Sequence, residues 1–242
     1  MKNKDIFTFR DAEKQAGPVA FSTMLKPAGS ACNLDCHYCY YLDKAVQYGG
    51  RQAVMSDELL ELYVKQYIEA NEVPTVQFCW HGGEPLLLGV DFYRKAMDFQ
   101  QKYADGKKIE NILQTNGTLV DEAWCDLFAG NNFLVGISLD GPQDIHDAFR
   151  LTKGGRPTFE RVMRTIEMFQ RSGVEYNTLS VVNRLCEGRG GEIYRFFRDT
   201  VHSRYMQFLP AVEHVVDKPG FHRPLIVSPD REGARVAEWS VT

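Results

Sequence analysis

The chain has 242 residues, 44% of them hydrophobic and 25% charged, with six cysteines and a formal net charge of -4. Such a chain can bury a full core, which excludes a disordered, collagenous or disulfide-stapled protein. The slight acidic excess argues against a general nucleic-acid binder, and no apolar run is long enough to cross a bilayer.

Residues 1–18 mix both charge signs and lack a continuous apolar stretch. They read as an N-terminal extension and not as a secretory signal, which places the protein in the cytoplasm. In that compartment clustered cysteines point to metal or catalysis rather than to disulfides. "VAFSTMLKP" (19–27) reads as a first strand entering a cysteine loop, and "SDELLELYVKQYIEAN" (56–71) as a helix capped by Ser56. A strand follows at 75–83, a helix at 91–104, a strand at 109–117, and a short helix at 120–130. Then come a strand at 133–142, a helix at 158–173 stopped by Gly173, a strand at 174–182, a helix at 191–201 and a strand at 204–212. Strict alternation of six strands with five helices predicts a parallel sheet covered by helices. An open doubly wound sheet and a barrel both satisfy that pattern. Polar and Gly-rich clusters follow strand after strand, as at the C-terminal face of a (β/α) barrel. The expectation is therefore an α/β fold, a partial (β/α)6 TIM-like barrel over residues 19–212. Residues 213–242 carry Pro, Gly and charge and read as an extended connection.

The most informative stretch is "CNLDCHYCYYL", where Cys32, Cys36 and Cys39 are spaced Cys-x₃-Cys-x₂-Cys. Three uses fit three thiols. Zinc takes four ligands, and His37 lies inside the motif, although structural zinc sites usually recruit a second pair from a distant loop. A redox pair is present in "CHYC" but leaves Cys32 unused. A [4Fe–4S] cluster needs four ligands, so three cysteines leave one iron for a small molecule. The remaining thiols, Cys79, Cys125 and Cys186, are isolated and read as small buried side chains.

This spacing, with an aromatic before the last cysteine, resembles the radical S-adenosylmethionine (SAM) superfamily. The resemblance implies that Cys32, Cys36 and Cys39 ligate a [4Fe–4S] cluster whose open iron chelates SAM. Cleavage of SAM then gives a 5′-deoxyadenosyl radical that removes a hydrogen from the substrate. In "GGEP" (82–85) the family reading is that Gly82 and Gly83 let backbone approach SAM while Glu84 helps receive its ammonium. Tyr38 is expected beside the adenine. Ser138 and Arg150 match positions that hold the SAM ribose and carboxylate, with Val212 a late-strand contact to the nucleoside. Asp140 and Gly141 read only as the "DGP" turn.

Beyond the superfamily, the chain resembles the anaerobic sulfatase-maturating enzymes. "CNLDCHYCYYLDK", "WHGGEPLL", "LQTNGTLVDEAWCDLF", "VGISLDGP", "HDAFR", "YMQFLPAVE" and "WSVT" carry this resemblance, in order, over most of the chain. It implies oxidation of a Cys or Ser in a sulfatase's Cys/Ser-x-Pro/Ala-x-Arg segment to Cα-formylglycine, with an electron donor such as flavodoxin or ferredoxin. Tyr41, His81, Gln114 and Asn116 are then the candidates that meet the substrate. Family members carry a C-terminal region with two further clusters and an Asp base. The general base is thus expected beyond Thr242, and 213–242 is expected to lead toward that region. Two alternatives share much of this pattern: a radical SAM maturase of a ribosomal peptide, and a non-catalytic cluster-binding regulator.

Overall fold

The computed structural model describes residues 17–18, 20–39, 41, 54–217, 225–227 and 229–241. Apart from positions 17 and 18, the N-terminal extension lies outside the described residues. Six strands form one parallel sheet: β1 (Met24–Leu25), β2 (Thr75–Trp80), β3 (Lys108–Thr115), β4 (Leu134–Ser138), β5 (Glu175–Val182) and β6 (Met206–Pro210). Each strand pairs with the next in sequence, from β1 at one edge to β6 at the other. A doubly wound sheet would reverse its order at a switch point, and this one does not. Right-handed crossovers in an unreversed series put every helix on one side of the sheet. The result is the partial (β/α)6 arrangement expected from the alternation.

Helix α1 (Asp57–Ala70) begins where Ser56 Oγ accepts from Leu59 N at 3.3 Å, with Asp57 and Glu58 in its positive first turn. Helices α2 (Val90–Tyr103), α3 (Glu122–Gly130) and α5 (Phe159–Ser172) follow β2, β3 and β4, the last ending on left-handed Gly173 at φ 69°. Strand alternation then sorts the side chains. Val76, Phe78 and Trp80 of β2 and Leu113 of β3 turn toward the helices, where they pack with Leu60, Tyr93, Phe128 and Phe169. Gln114, one residue on from Leu113, falls on the opposite, concave face.

Several expectations were too long, too short or absent. Only Met24 and Leu25 of the expected first strand pair with β2. Upstream, Phe21 is held instead by side chains of the α1 end, its N donating to Asn71 Oδ1 and its O accepting from Tyr67 Oη. A seven-residue helix, α4 (Gln143–Phe149), follows the Asp140-Gly141-Pro142 turn. Helix α6 (Gly190–Arg195) runs on into a π-helical turn at Phe196–Thr200.

The stretch read as an extended connection instead forms a second, antiparallel sheet. β7 (His214–Val216) is flanked by β8 (Leu225–Val227) and β9 (Arg235–Val236). Its buried Val215, Ala237 and Trp239 pack with Leu34, Cys36 and Tyr38 of the cysteine loop. The Trp239 ring lies 6.3 Å from that of His37. Residues after β6 therefore support the loop. We predict that Trp239→Ala lowers the unfolding free energy by about 3–5 kcal/mol, the range for removing a buried Trp, as read by urea denaturation. A loss below 1 kcal/mol would show that this sheet does not carry the loop.

Candidate functional site

The C-terminal ends of the strands and the loops that follow them surround a cavity of about 350 Å³. Cys32, Cys36 and Cys39 line it from one side. Tyr38, Tyr41, His81, Gly82 and Gly83 also reach it, as do Gln114, Asn116, Ser138 and Arg150. The opposite wall is apolar: Leu179 and Val181 of β5, then Leu209, Pro210 and Ala211 at the end of β6. Twelve of the fourteen residues singled out in the sequence thus meet at one place.

The cysteine loop has no regular structure and is held from outside. Asp35 N donates to Leu151 O at 2.8 Å and His37 N to Phe149 O at 3.0 Å. Gly83 N donates to Gly29 O at 2.9 Å and Glu84 N to Ala31 O at 2.7 Å. A Cβ at Gly83 would overlap the Ala31 carbonyl, and one at Gly82, whose φ is 138°, would press on Gly29 O. The missing side chains let the turn after β2 close against the segment that leads into the cysteine loop, and both glycines also line the cavity.

All three cysteines are free thiols. Burial pushes Cys32 up to about 11 and Cys36 up to about 12, so both carry their protons at neutral pH in the metal-free chain. Loading a metal group must displace those protons. Cys32 Sγ already accepts from Leu34 N at 3.4 Å and Asn116 Nδ2 at 3.7 Å. The Asn116 amide also donates to Asn33 Oδ1 at 2.9 Å and accepts from Thr118 N at 2.9 Å, which ties the end of β3 to the loop. Among the described residues, no three His, Cys, Asp or Glu side chains converge as ligands of a single ion. An iron–sulfur cluster asks for no such convergence, because each cysteine binds a separate iron.

Arg150 is the cationic group of the cavity. Its Nη2 donates to Asp140 Oδ1 at 3.0 Å, and its guanidinium lies 5.4 Å from the centre of the Tyr38 ring. Burial is the largest single influence and opposes its charge; the Asp140 carboxylate and the neighbouring Tyr38 and Cys36 together favour it, and the guanidinium stays protonated. Arg150 Nε is buried and has no partner among the described residues. Arg150 also lines the cavity, and a guanidinium there suits an acidic ligand. Across the cavity Ser138 Oγ accepts from Gln114 Nε2 at 3.1 Å. Gly136 makes room for that glutamine, since a Cβ there would overlap Gln114 Oε1. His81 faces Tyr41 with ring centres 6.0 Å apart. Its Nδ1 accepts from Gly82 N at 2.7 Å, and burial lowers its pKa, so it is neutral at pH 7.

Two candidates fall elsewhere. Glu84, expected at the SAM ammonium, is fully buried behind the cavity. Its Oε1 accepts from Leu86 N and Thr115 Oγ1, and its Oε2 from Asn116 N, all within 3.0 Å. Both oxygens are committed to bracing β2 against β3. Val212 is 65% exposed and points away; its neighbours Ala211 and Glu213 line the cavity instead. Asp140, read as a turn former, is a buried hub. It accepts from Tyr38 Oη, Arg150 Nη2 and Val181 N. Its place at the C-terminal end of a barrel strand was the signal that marked it.

The Radical SAM superfamily pattern matches residues 27–186. The serine-type anaerobic sulfatase-maturating enzyme of Bacteroides thetaiotaomicron is 45% identical over 220 residues, covering 90% of this chain and 53% of that protein. The cysteine-type anaerobic sulfatase-maturating enzyme of Clostridium novyi is 40% identical over 209 residues, covering 84% of this chain and 54% of that protein. The solved structure of native anSMEcpe with bound AdoMet and Cp18Cys peptide superposes with a TM-score of 0.73 at 36% identity. The match covers 84% of this chain and 54% of that one. The chain spans about half the length of the curated relatives it matches.

Two outcomes follow from this geometry. Gly83→Val should displace the Ala31 backbone and with it Cys32, so reconstituted iron and sulfide fall well below those of wild type. Gly130→Ala, which meets no neighbour within 4 Å, should retain both. Full loading of Gly83→Val would show that the loop tolerates the displacement. For Glu84, burial raises the pKa from 4.5 to about 7 despite its three donors. Between those values the folded chain holds a proton that the unfolded chain lacks, so this residue's contribution to stability falls as pH rises from 4.5 to 7. Glu84→Gln should flatten that part of the stability profile. It should also cost about 1–3 kcal/mol, because the new amide group meets a backbone donor. Identical profiles for the two proteins, measured by denaturation across that pH range, would contradict the assignment.

Proposed function

The chain belongs to the radical SAM superfamily, whose members use a [4Fe–4S] cluster and SAM, and we propose that it is the cluster- and SAM-binding barrel of an anaerobic sulfatase-maturating enzyme. The observation that carries this reading is one cavity that joins three thiols on a single loop to a buried guanidinium with an unmet donor. When bound, the cluster and SAM supply a 5′-deoxyadenosyl radical, the species that takes hydrogen from the substrate.

The chain's own residues bind, orient and exclude water. Cys32, Cys36 and Cys39, which line the cavity, would hold the cluster and leave one iron without a protein ligand. Arg150, which lines the cavity, would receive the SAM carboxylate, and Ser138, held by Gln114, would accompany the ribose. The backbone at Tyr38 and the apolar wall of Leu179, Val181 and Ala211 suit the adenine and keep the site dry, which protects a radical from side reactions. Tyr41 and neutral His81, which face each other in the cavity lining, are the residues that would meet the target residue. The substrate class, a Cys or Ser in a Cys/Ser-x-Pro/Ala-x-Arg segment, rests on the identity to serine-type and cysteine-type relatives. We place the reaction in the cytoplasm with a flavodoxin- or ferredoxin-like electron donor. No described helix is long and apolar enough to cross a membrane.

Anaerobically reconstituted protein should bind one cluster and cleave SAM under a strong reductant. Cys→Ala at position 32, 36 or 39 should abolish both. With a Cys-x-Pro-x-Arg peptide deuterated at the target Cβ, deuterium should appear in 5′-deoxyadenosine. Cleavage of SAM without label transfer from either the Cys or the Ser peptide would refute the substrate class. A full cluster in the triple variant would refute the ligand assignment.

A further inference from the structure

We infer that Asp140 is a positioning residue for SAM: its carboxylate holds the Arg150 guanidinium in place where it lines the cavity, ready for the SAM carboxylate. This rests on the reading that Arg150 receives that carboxylate.

Asp140 sits one residue past Leu139 after β4, and it is 1% exposed. Three bonds converge on its carboxylate from three elements of the cavity wall. Oδ1 accepts from Arg150 Nη2 at 3.0 Å and from Val181 N of β5 at 2.9 Å. Oδ2 accepts from the Tyr38 hydroxyl of the cysteine loop. The Asp140 amide is itself anchored on His146 Nδ1 at 3.4 Å, and His146 Nε2 pairs with Thr158 Oγ1 at 3.0 Å. The acid is thus held from behind while it holds the guanidinium in front.

A turn former needs none of this. An aspartate that only starts an Asp-Gly-Pro turn keeps its carboxylate in water or on its own backbone. Nor is a buried ion pair an efficient source of stability, since desolvation consumes most of the Coulombic gain. What such a pair does supply is orientation. An arginine side chain is long, and it can offer a directed donor to a small carboxylate only if its other donors are already fixed. Here Asp140 fixes Nη2, the Tyr38 ring supports the guanidinium plane, and Nε remains unmet. Because Asp140 also grips Tyr38 from the same loop as the three cysteines, it sets the distance between that loop and Arg150. Any ligand that spans an iron and the guanidinium depends on that distance.

The test compares SAM with decarboxylated SAM, which lacks only the carboxylate. Binding to the reconstituted protein is measured by equilibrium dialysis, alongside iron content. Asp140→Asn should weaken SAM by at least about tenfold, as expected when a charge-assisted contact is lost. It should leave decarboxylated SAM within about twofold of wild type and iron content unchanged, because the contact withdrawn serves the carboxylate alone. Arg150→Ala should show the same selective loss. Tyr38→Phe withdraws one bond from Asp140 without touching the charge pair. It should show a smaller loss with the same selectivity, and it carries the test if Asp140→Asn fails to load iron. Equal losses for both ligands in the loaded Asp140→Asn or Tyr38→Phe protein would overturn the proposal, showing that the acid serves the fold. No loss for either ligand would overturn it as well. If Arg150→Ala itself discriminates nothing, the carboxylate assignment of Arg150 fails and the proposal falls with it.

Discussion

Three thiols can serve one cluster only if the loop that carries them is held still, and Cys32–Cys39 contains no helix or strand to do so. Its rigidity is borrowed. On one side Gly82 and Gly83 let the turn after β2 approach so closely that the amides of Gly83 and Glu84 donate to Gly29 and Ala31, just ahead of the loop. On another, the last residue of α4 and the segment after it accept from the His37 and Asp35 amides. Beneath it lie Val215 and Trp239 of the second sheet, and above it Asn116 reaches from the end of β3. Each contact joins the loop to a different part of the fold. The barrel therefore places the thiols through side chains and turns rather than through any propensity of the loop itself.

The same constraint shapes the cavity. Its polar half is built from groups whose other bonds are already made: Ser138 on Gln114, Arg150 on Asp140, Asn116 on Asn33 and Thr118. Its other half, from β5 and β6, offers only apolar surface. A ligand with one charged, chelating end and one flat aromatic end matches that division. Fixed donors need no reorganisation when such a ligand arrives, which is the condition for holding a reactive group in register with its target.

Much of this was legible in the sequence. The 3.6- and 2-residue periods separate cleanly from Ser56 onward, because the helices are long and amphipathic and the strands alternate. The spacing of the cysteines and the glycine pair after β2 also marked the site. What was not legible depended on short elements or on parity. Helix α4 has seven residues and begins at a strong turn signal, which hid it. Strands β7, β8 and β9 have two or three residues each among turn formers. Val212 and Glu213 differ by one position, and which of them faces inward is settled by the Ala211 amide bonding to Val182 O. Glu84 and Asp140 looked like a ligand contact and a turn former; tertiary partners far along the chain make the first a brace and the second a hub.

In the proposed reading, Cys32, Cys36 and Cys39 would hold a four-iron cluster with one iron left without a protein ligand. Mössbauer spectroscopy of protein reconstituted with ⁵⁷Fe, recorded with and without SAM, tests it most directly. One iron in four should change its signal when SAM is added, while the other three stay as they were. Four irons that all ignore SAM, or a reconstituted site that holds zinc in place of iron, would contradict it.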